Sequence, residues 1–159
     1  MAFVRTLAVW VVGALCLQRA AMAGPASTPG ASGPSPDTGP YLHELLKRPD
    51  FSGAYTRIVA PRNLPSWVRQ GGTSTPSQRV SVAGKPWLLV QSCKPHDCPS
   101  EYVHILYEPR SQSIAALFVR DPSAAANASL HQDRTELIWL GSPDGSLKNA
   151  LLHTLRFTE

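Results

Sequence analysis

Six consecutive residues, Cys93-Lys94-Pro95-His96-Asp97-Cys98, carry more chemistry than any other stretch of the 159-residue chain. Two sulfurs bracket an ammonium, an imidazole and a carboxylate, and that combination suits three different tasks. Cys93 and Cys98 can close a small ring, in which Pro95 fixes one more backbone dihedral and the remaining side chains are presented to whatever lies in front of them. They can act as thiolate ligands of a metal, with His96 as a third ligand and Asp97 or His104 as the nearest fourth. They can form a redox pair, although such pairs normally have two intervening residues and open a helix. An exported chain with an even cysteine pair points to the first task. By chain entropy alone so short a ring contributes about 2 kcal/mol, so its value is shape more than stability.

Within the ring, His96 is the residue best placed to meet a partner. A loop histidine in general is simply solvated. Here a constrained loop holds it beside Lys94 and Asp97, and rigid presentation lowers the entropic cost of binding. Its imidazole can meet carboxylates either as imidazolium or as a neutral donor. Lys94, Pro95, His96 and Asp97 are therefore the candidate target-binding residues. A catalytic reading is weaker. Adjacent His96 and Asp97 tend to point apart on an extended loop, whereas a base and its orienting carboxylate must be hydrogen-bonded. The chain has no GxSxG elbow, HExxH helix or phosphate loop, and Glu101, Glu108, Glu136 and Asp133 are not paired by any pattern. The expectation is a protein that is not an enzyme and takes no cofactor.

The elements that must position this hexapeptide follow from periodicity. Tyr41, Leu42, Leu45 and Leu46 fall at helical spacing before Pro49. Asp50 is a candidate N-cap for a second helix through Phe51, Tyr55, Ile58 and Val59, stopped by Pro61. Leu64 to Val68 suits one helical turn ended by Gly71-Gly72, and Thr73 to Gln78 reads as loop. From Arg79 the period becomes two, and five strands are expected: Arg79 to Ala83, Trp87 to Ser92, Tyr102 to Glu108, Ile114 to Arg120 and Glu136 to Leu140. Gly84-Lys85 and Pro109 to Gln112 are hairpin turns, which makes the arrangement an antiparallel meander. The hexapeptide lies between the second and third strands. His104 alternates with Val103 and Ile105, so it faces away from the core if those two face in. Ser146 to Leu155 closes the chain as a helix capped by Asp144 or Ser146. The fold class is α+β, a five-stranded antiparallel meander sheet flanked by helices in a three-layer α/β/α arrangement.

Residues 1–23 read as a cleaved signal peptide: Arg5, an apolar run from Leu7 to Leu17, then Ala21-Met22-Ala23. The run is too short to span a bilayer, so no membrane anchor is expected after cleavage. Leu15 before Cys16 is a poor fit to a lipid-attachment signal. Residues 24–40, rich in Gly, Pro, Ser, Thr and Ala, read as a flexible tether, and residues 41–159 as the folded domain. Loss of Arg5 and Arg19 lowers the formal charge from +4 to +2 and leaves Cys93 and Cys98 as the cysteine pair. That balance offers no basic face for nucleic acid.

With CKPHDC set on a strand-to-strand loop and preceded by LPSWVRQGGTSTPSQRV (Leu64 to Val80), the chain resembles the Ivy family, bacterial inhibitors of vertebrate lysozyme. The likeness runs from about Tyr41 to Leu155, through the ELIWL strand at Glu136 to Leu140 and the helix after it. The tether and an alanine-rich insert at Ala124 to Ala128 lie outside it. The resemblance implies a periplasmic protein whose loop, cross-linked between Cys93 and Cys98, plugs the active cleft of a C-type lysozyme. His96 would be the key, Lys94 and Asp97 would contact the rim, and Pro95 would hold the arch. It leaves room for a homodimer. Two other functions stay open: regulation of the cell's own lytic transglycosylases through the same loop, and a metal-binding or redox module using Cys93 and Cys98.

Overall fold

The computed structural model describes residues 39–124 and 135–155. These fall in the second of two units into which the chain divides, Gly33–Glu159. The leader, the tether as far as residue 38 and most of the alanine-rich insert lie outside the described residues. Gly39 and Pro40 do not: Gly39 N–H donates to Ser77 O at 2.7 Å and Ser77 N–H donates to Pro40 O at 3.1 Å. The fold thus takes in the last two residues assigned to the tether.

Three short helices come first, α1 (Leu42–Leu45), α2 (Pro49–Val59) and α3 (Ser66–Gln70). Asp50 is not the cap of α2. Arg48 holds that position and Pro49 opens the helix, where its fixed φ and missing N–H cost nothing. Asp50, one residue further in, instead accepts hydrogen bonds from Arg48 at 3.0 Å and from the Tyr107 hydroxyl at 3.2 Å.

Among the described residues the sheet has six strands where five were expected: β1 (Thr73–Ser74), β2 (Gln78–Val82), β3 (Lys85–Cys93), β4 (Glu101–Glu108), β5 (Ser113–Arg120) and β6 (Glu136–Leu140). All pairs are antiparallel, in the order β1-β3-β4-β5-β6, with β2 also on β3. The added strand β1 lies in the stretch read as loop. The β2–β3 turn is Ala83-Gly84, one residue earlier than expected, since Val82 pairs with Lys85. Both turn residues have positive φ, 49° and 74°. This is the conformation a two-residue hairpin turn needs to match strand twist, and glycine adopts it freely.

Alternation along β3, β4 and β5 separates two cores. Val90, Val103, Ile105, Tyr107, Ala116 and Phe118 pack against Leu42, Leu45, Phe51, Tyr55, Trp67 and Val68 from α1 to α3. Leu89, Leu106, Leu117 and Val119 pack against Leu151 on the last helix, α4 (Gly145–Thr154), capped by the Asp144 carboxylate accepting from Leu147 N–H. Helices therefore cover both faces, and β4 and β5 read as nearly continuous apolar runs because neither face meets water.

The α1–α3 layer is tied together by the Tyr55 hydroxyl, which donates to the Val68 carbonyl at 2.9 Å in a buried setting. Tyr55→Phe leaves that carbonyl without its partner and should cost about 1 kcal/mol. Urea denaturation of the two proteins checks this, and equal midpoints would show that the bond contributes nothing net.

Candidate functional site

The hexapeptide spans the β3–β4 connection at one end of the sheet. Cys93 closes β3 and Glu101 opens β4, and Lys94 N–H donates to Glu101 O at 2.9 Å, shutting the loop at its root. Cys93 and Cys98 form a disulfide with their Cα atoms 4.8 Å apart. Both thiols are consumed by that bond, so the metal site that needed two thiolates is not formed. Among the described residues no cluster of three or more His, Cys, Asp or Glu side chains suits a metal ion.

The loop tip is a tight turn. Asp97 N–H donates to Lys94 O at 3.1 Å, Pro95 takes the second position, and His96 takes the third with φ 65°. Proline second and a positive φ third are the signature of a type II turn, in which glycine or asparagine is the usual third residue. Histidine there carries backbone strain, a property that concentrates at functional positions. Pro95 and His96 are both exposed. The loop thus spends conformational energy to hold an exposed imidazole at the third position of the turn.

The structure brings Lys94 and Asp97 together. The Lys94 ammonium lies 2.9 Å from Asp97 Oδ2, and the Ser100 hydroxyl donates to the same oxygen at 2.5 Å. Hydrogen bonds from Ser100 and Lys94 hold the Asp97 carboxyl below the usual carboxylate range. The hydrogen bond to Asp97 raises Lys94 in turn. These two side chains tie the two ends of the turn together, while His96 stays exposed.

Behind the loop the sequence motifs find their place. Gly72, with φ 52°, runs against the Cys93 carbonyl, and a Cβ on it would lie 2.7 Å from Trp67 Cε3 and 2.8 Å from Ser92 Oγ. Only glycine fits this close approach. The Ser92 hydroxyl donates to Gly71 O at 2.6 Å. On the α4 side, a cavity of about 580 Å³ adjoins the disulfide, lined in part by Gln91, Tyr102, His104 and Pro99.

His104 faces away from Val103 and Ile105, as alternation required, yet it is only 2% exposed because α4 covers that face. It bonds Thr154 of α4 at 2.6 Å. Pairing of Glu101, Arg120, Glu136 and Trp67 was not visible from sequence. Glu101 accepts from Trp67 Nε1 at 2.9 Å and from Arg120 Nε at 2.9 Å, and Arg120 reaches Glu136 at 2.7 Å. A signal for part of it was present. The Pro109–Gln112 turn pairs Glu108 with Ser113, and counting back along both strands sets Glu101 opposite Arg120.

The family model for the inhibitor of vertebrate lysozyme (Ivy) matches residues 50–148. An inhibitor of vertebrate lysozyme from Escherichia coli is 32% identical over 77 residues, 48% of this chain and 49% of that protein. One from Pseudomonas aeruginosa is 28% identical over 119 residues, covering 73% and 78%. An uncharacterized protein of Yersinia pestis is 29% identical over 131 residues, covering 79% and 83%. The chain spans about half the length of the Escherichia coli relative it matches.

Proposed function

The chain belongs to the Ivy family, and from that premise we propose that it inhibits a C-type lysozyme by inserting the Cys93–Cys98 loop into the active cleft, without turnover. The observation that carries this reading is the exposed His96 at the strained corner of a disulfide-closed turn. Lysozyme works with two carboxylates facing each other across a cleft, one an acid in an apolar pocket and the other ionised. An imidazole held between them can hydrogen-bond to both and exclude the sugar ring. Pro95 sets the turn, and the Lys94–Asp97 pair supports it while offering charge at the cleft rim. The protein acts in the periplasm after export, where it protects the cell wall.

The deciding experiment is inhibition of a C-type lysozyme and of a lytic transglycosylase, measured side by side. Lysozyme inhibition at far lower concentration supports the proposal. Preferential inhibition of the transglycosylase moves the same loop to the cell's own wall-cleaving enzymes. A thiol count without reductant separates both from a metal module, which needs two free thiolates, and resistance of the disulfide to mild reductant separates both from a redox module, which must cycle it. Sedimentation of the same sample decides between monomer and homodimer.

The disulfide makes a further prediction. Reduction, or Cys93→Ser with Cys98→Ser, should weaken lysozyme inhibition about tenfold, because a looser ring must be ordered on binding. The melting temperature should fall by several degrees, in line with the ring's chain-entropy contribution of about 2 kcal/mol, so inhibition is compared well below the melt. Unchanged inhibition after verified reduction would mean that the Lys94–Asp97–Ser100 cluster alone fixes the loop.

A further inference from the structure

The LPSWV segment supplies no residue to the loop, yet Trp67 reaches the loop's root. Its indole N–H donates to Glu101 Oε2, while Arg120 Nε donates to Glu101 Oε1. The Glu101 carboxylate is only 14% exposed and is held from two directions. Its backbone carbonyl accepts the Lys94 N–H that shuts the loop. Arg120 is fixed in turn by Glu136 and by the Phe118 ring, 5.4 Å from its guanidinium carbon, and Trp67 packs on the same ring with centroids 6.1 Å apart. Trp67, Glu101, Arg120 and Phe118 thus form one braced cluster on the α1–α3 side of the root. The opposite side adjoins the cavity beside the disulfide, and backbone contacts add to the support, with Asp121 N–H donating to Ser100 O at 2.7 Å and Thr73 pairing with Cys93.

We propose that Glu101, gripped by Trp67 and Arg120, is a positioning residue that sets the pose of the His96 loop relative to the sheet. The disulfide fixes the internal shape of the loop, whereas the Glu101 brace fixes the direction in which that shape points. A hydrogen bond to a charged group is among the stronger single contacts a protein makes, and two converge here. A plug that must enter a cleft is sensitive to direction, since a small displacement at the root becomes a larger one at the tip. This role rests on the plug reading for its effect on inhibition, but not for its effect on the loop itself.

The test uses the full exported protein with Glu101→Met, which keeps a long unbranched side chain without an acceptor, and Glu101→Gln, which keeps one acceptor for Trp67. Hydrogen exchange is followed at the Lys94, Asp97 and Ser100 amides and in the interior of β4 and β5. Glu101→Met should speed exchange at the loop amides about tenfold while the strand interiors keep their protection, with Glu101→Gln in between. Against a C-type lysozyme, Glu101→Met should weaken inhibition about tenfold, and should add little further loss in a His96→Ala background, because both changes act through one loop. Unchanged loop exchange overturns the proposal. So does exchange that rises equally through the strands, which marks a merely structural contact. If the parent fails to inhibit lysozyme, the plug reading falls while the exchange arm still decides the brace.

Discussion

His96→Ala is expected to weaken inhibition of a C-type lysozyme by about thirtyfold or more, the ~2 kcal/mol and upward that a central anchor residue contributes to an interface. The imidazole is exposed, and its turn is closed by the Asp97 N–H to Lys94 O bond, the disulfide and the Lys94–Asp97 pair. Little ordering is left for binding, so loss of the ring removes contact energy with little offset in entropy. His96 is exposed, so its truncation removes no buried contact and the fold should keep its stability, with a thermal melt as the control. His96→Asn is the informative companion. Asparagine enters the left-handed region more easily and keeps an amide donor, so it should retain part of the inhibition. A His96→Ala protein that inhibits as well as the parent would eliminate the plug, whatever the family of the chain.

The strands were legible because alternation survives wherever one face differs from the other, and Pro109 to Gln112 fixed a register that the structure keeps. Strand β1 was not legible. Thr73 and Ser74 follow Gly71-Gly72 and lack apolar content, and they pair only because Cys93 and Ser92 present open edge groups to them. The cap of α2 was misplaced for a related reason. Asp50 has the side chain of a cap, but Pro49 can occupy only the first helical position, which moves the cap back to Arg48. The loop was read from its residue types, since cysteine spacing and the intervening proline are local properties. The positive φ at His96 and the pairing of Lys94 with Asp97 depend on how the ring closes, which spacing alone does not dictate. The contact between Trp67 and Glu101 joins residues 34 apart on different layers, so no local pattern carries it. For His104 the limit is the same. Alternation gave its direction correctly, whereas the cover over it comes from a helix 50 residues later.

That cover produces the second large effect, a loss of stability as pH falls from 6.5 towards 4. Burial under α4 lowers the His104 pKa from 6.5 to about 4, because the charged imidazolium would lose its water. The hydrogen bonds favour the neutral ring. Thr154 Oγ1 donates its hydrogen to Leu151 O at 2.6 Å, so it can only accept from His104 Nδ1–H, and Nε2 is left to accept from the Gln91 amide at 3.5 Å. Tyr102, with its ring 5.4 Å away, is the other polar neighbour on β4. Above pH 6.5 the residue is neutral both folded and unfolded and has no effect. Below 6.5 the unfolded chain binds a proton that the folded chain refuses, so stability falls until the folded residue also titrates near pH 4. The loss is on the order of 3 kcal/mol. The carboxyls of Asp50, Asp97 and Glu108 have folded pKa values lowered from 3.8, 3.8 and 4.5, so their stabilising contributions are present above those values and fade below them, which confines the comparison to pH 4.5 and above. His104→Gln keeps a neutral polar side chain and should flatten the curve between pH 6.5 and 4.5. Urea denaturation of parent and variant across that range decides it: a parent whose stability does not change, or a variant that loses as much as the parent, would show that His104 is not the group responsible.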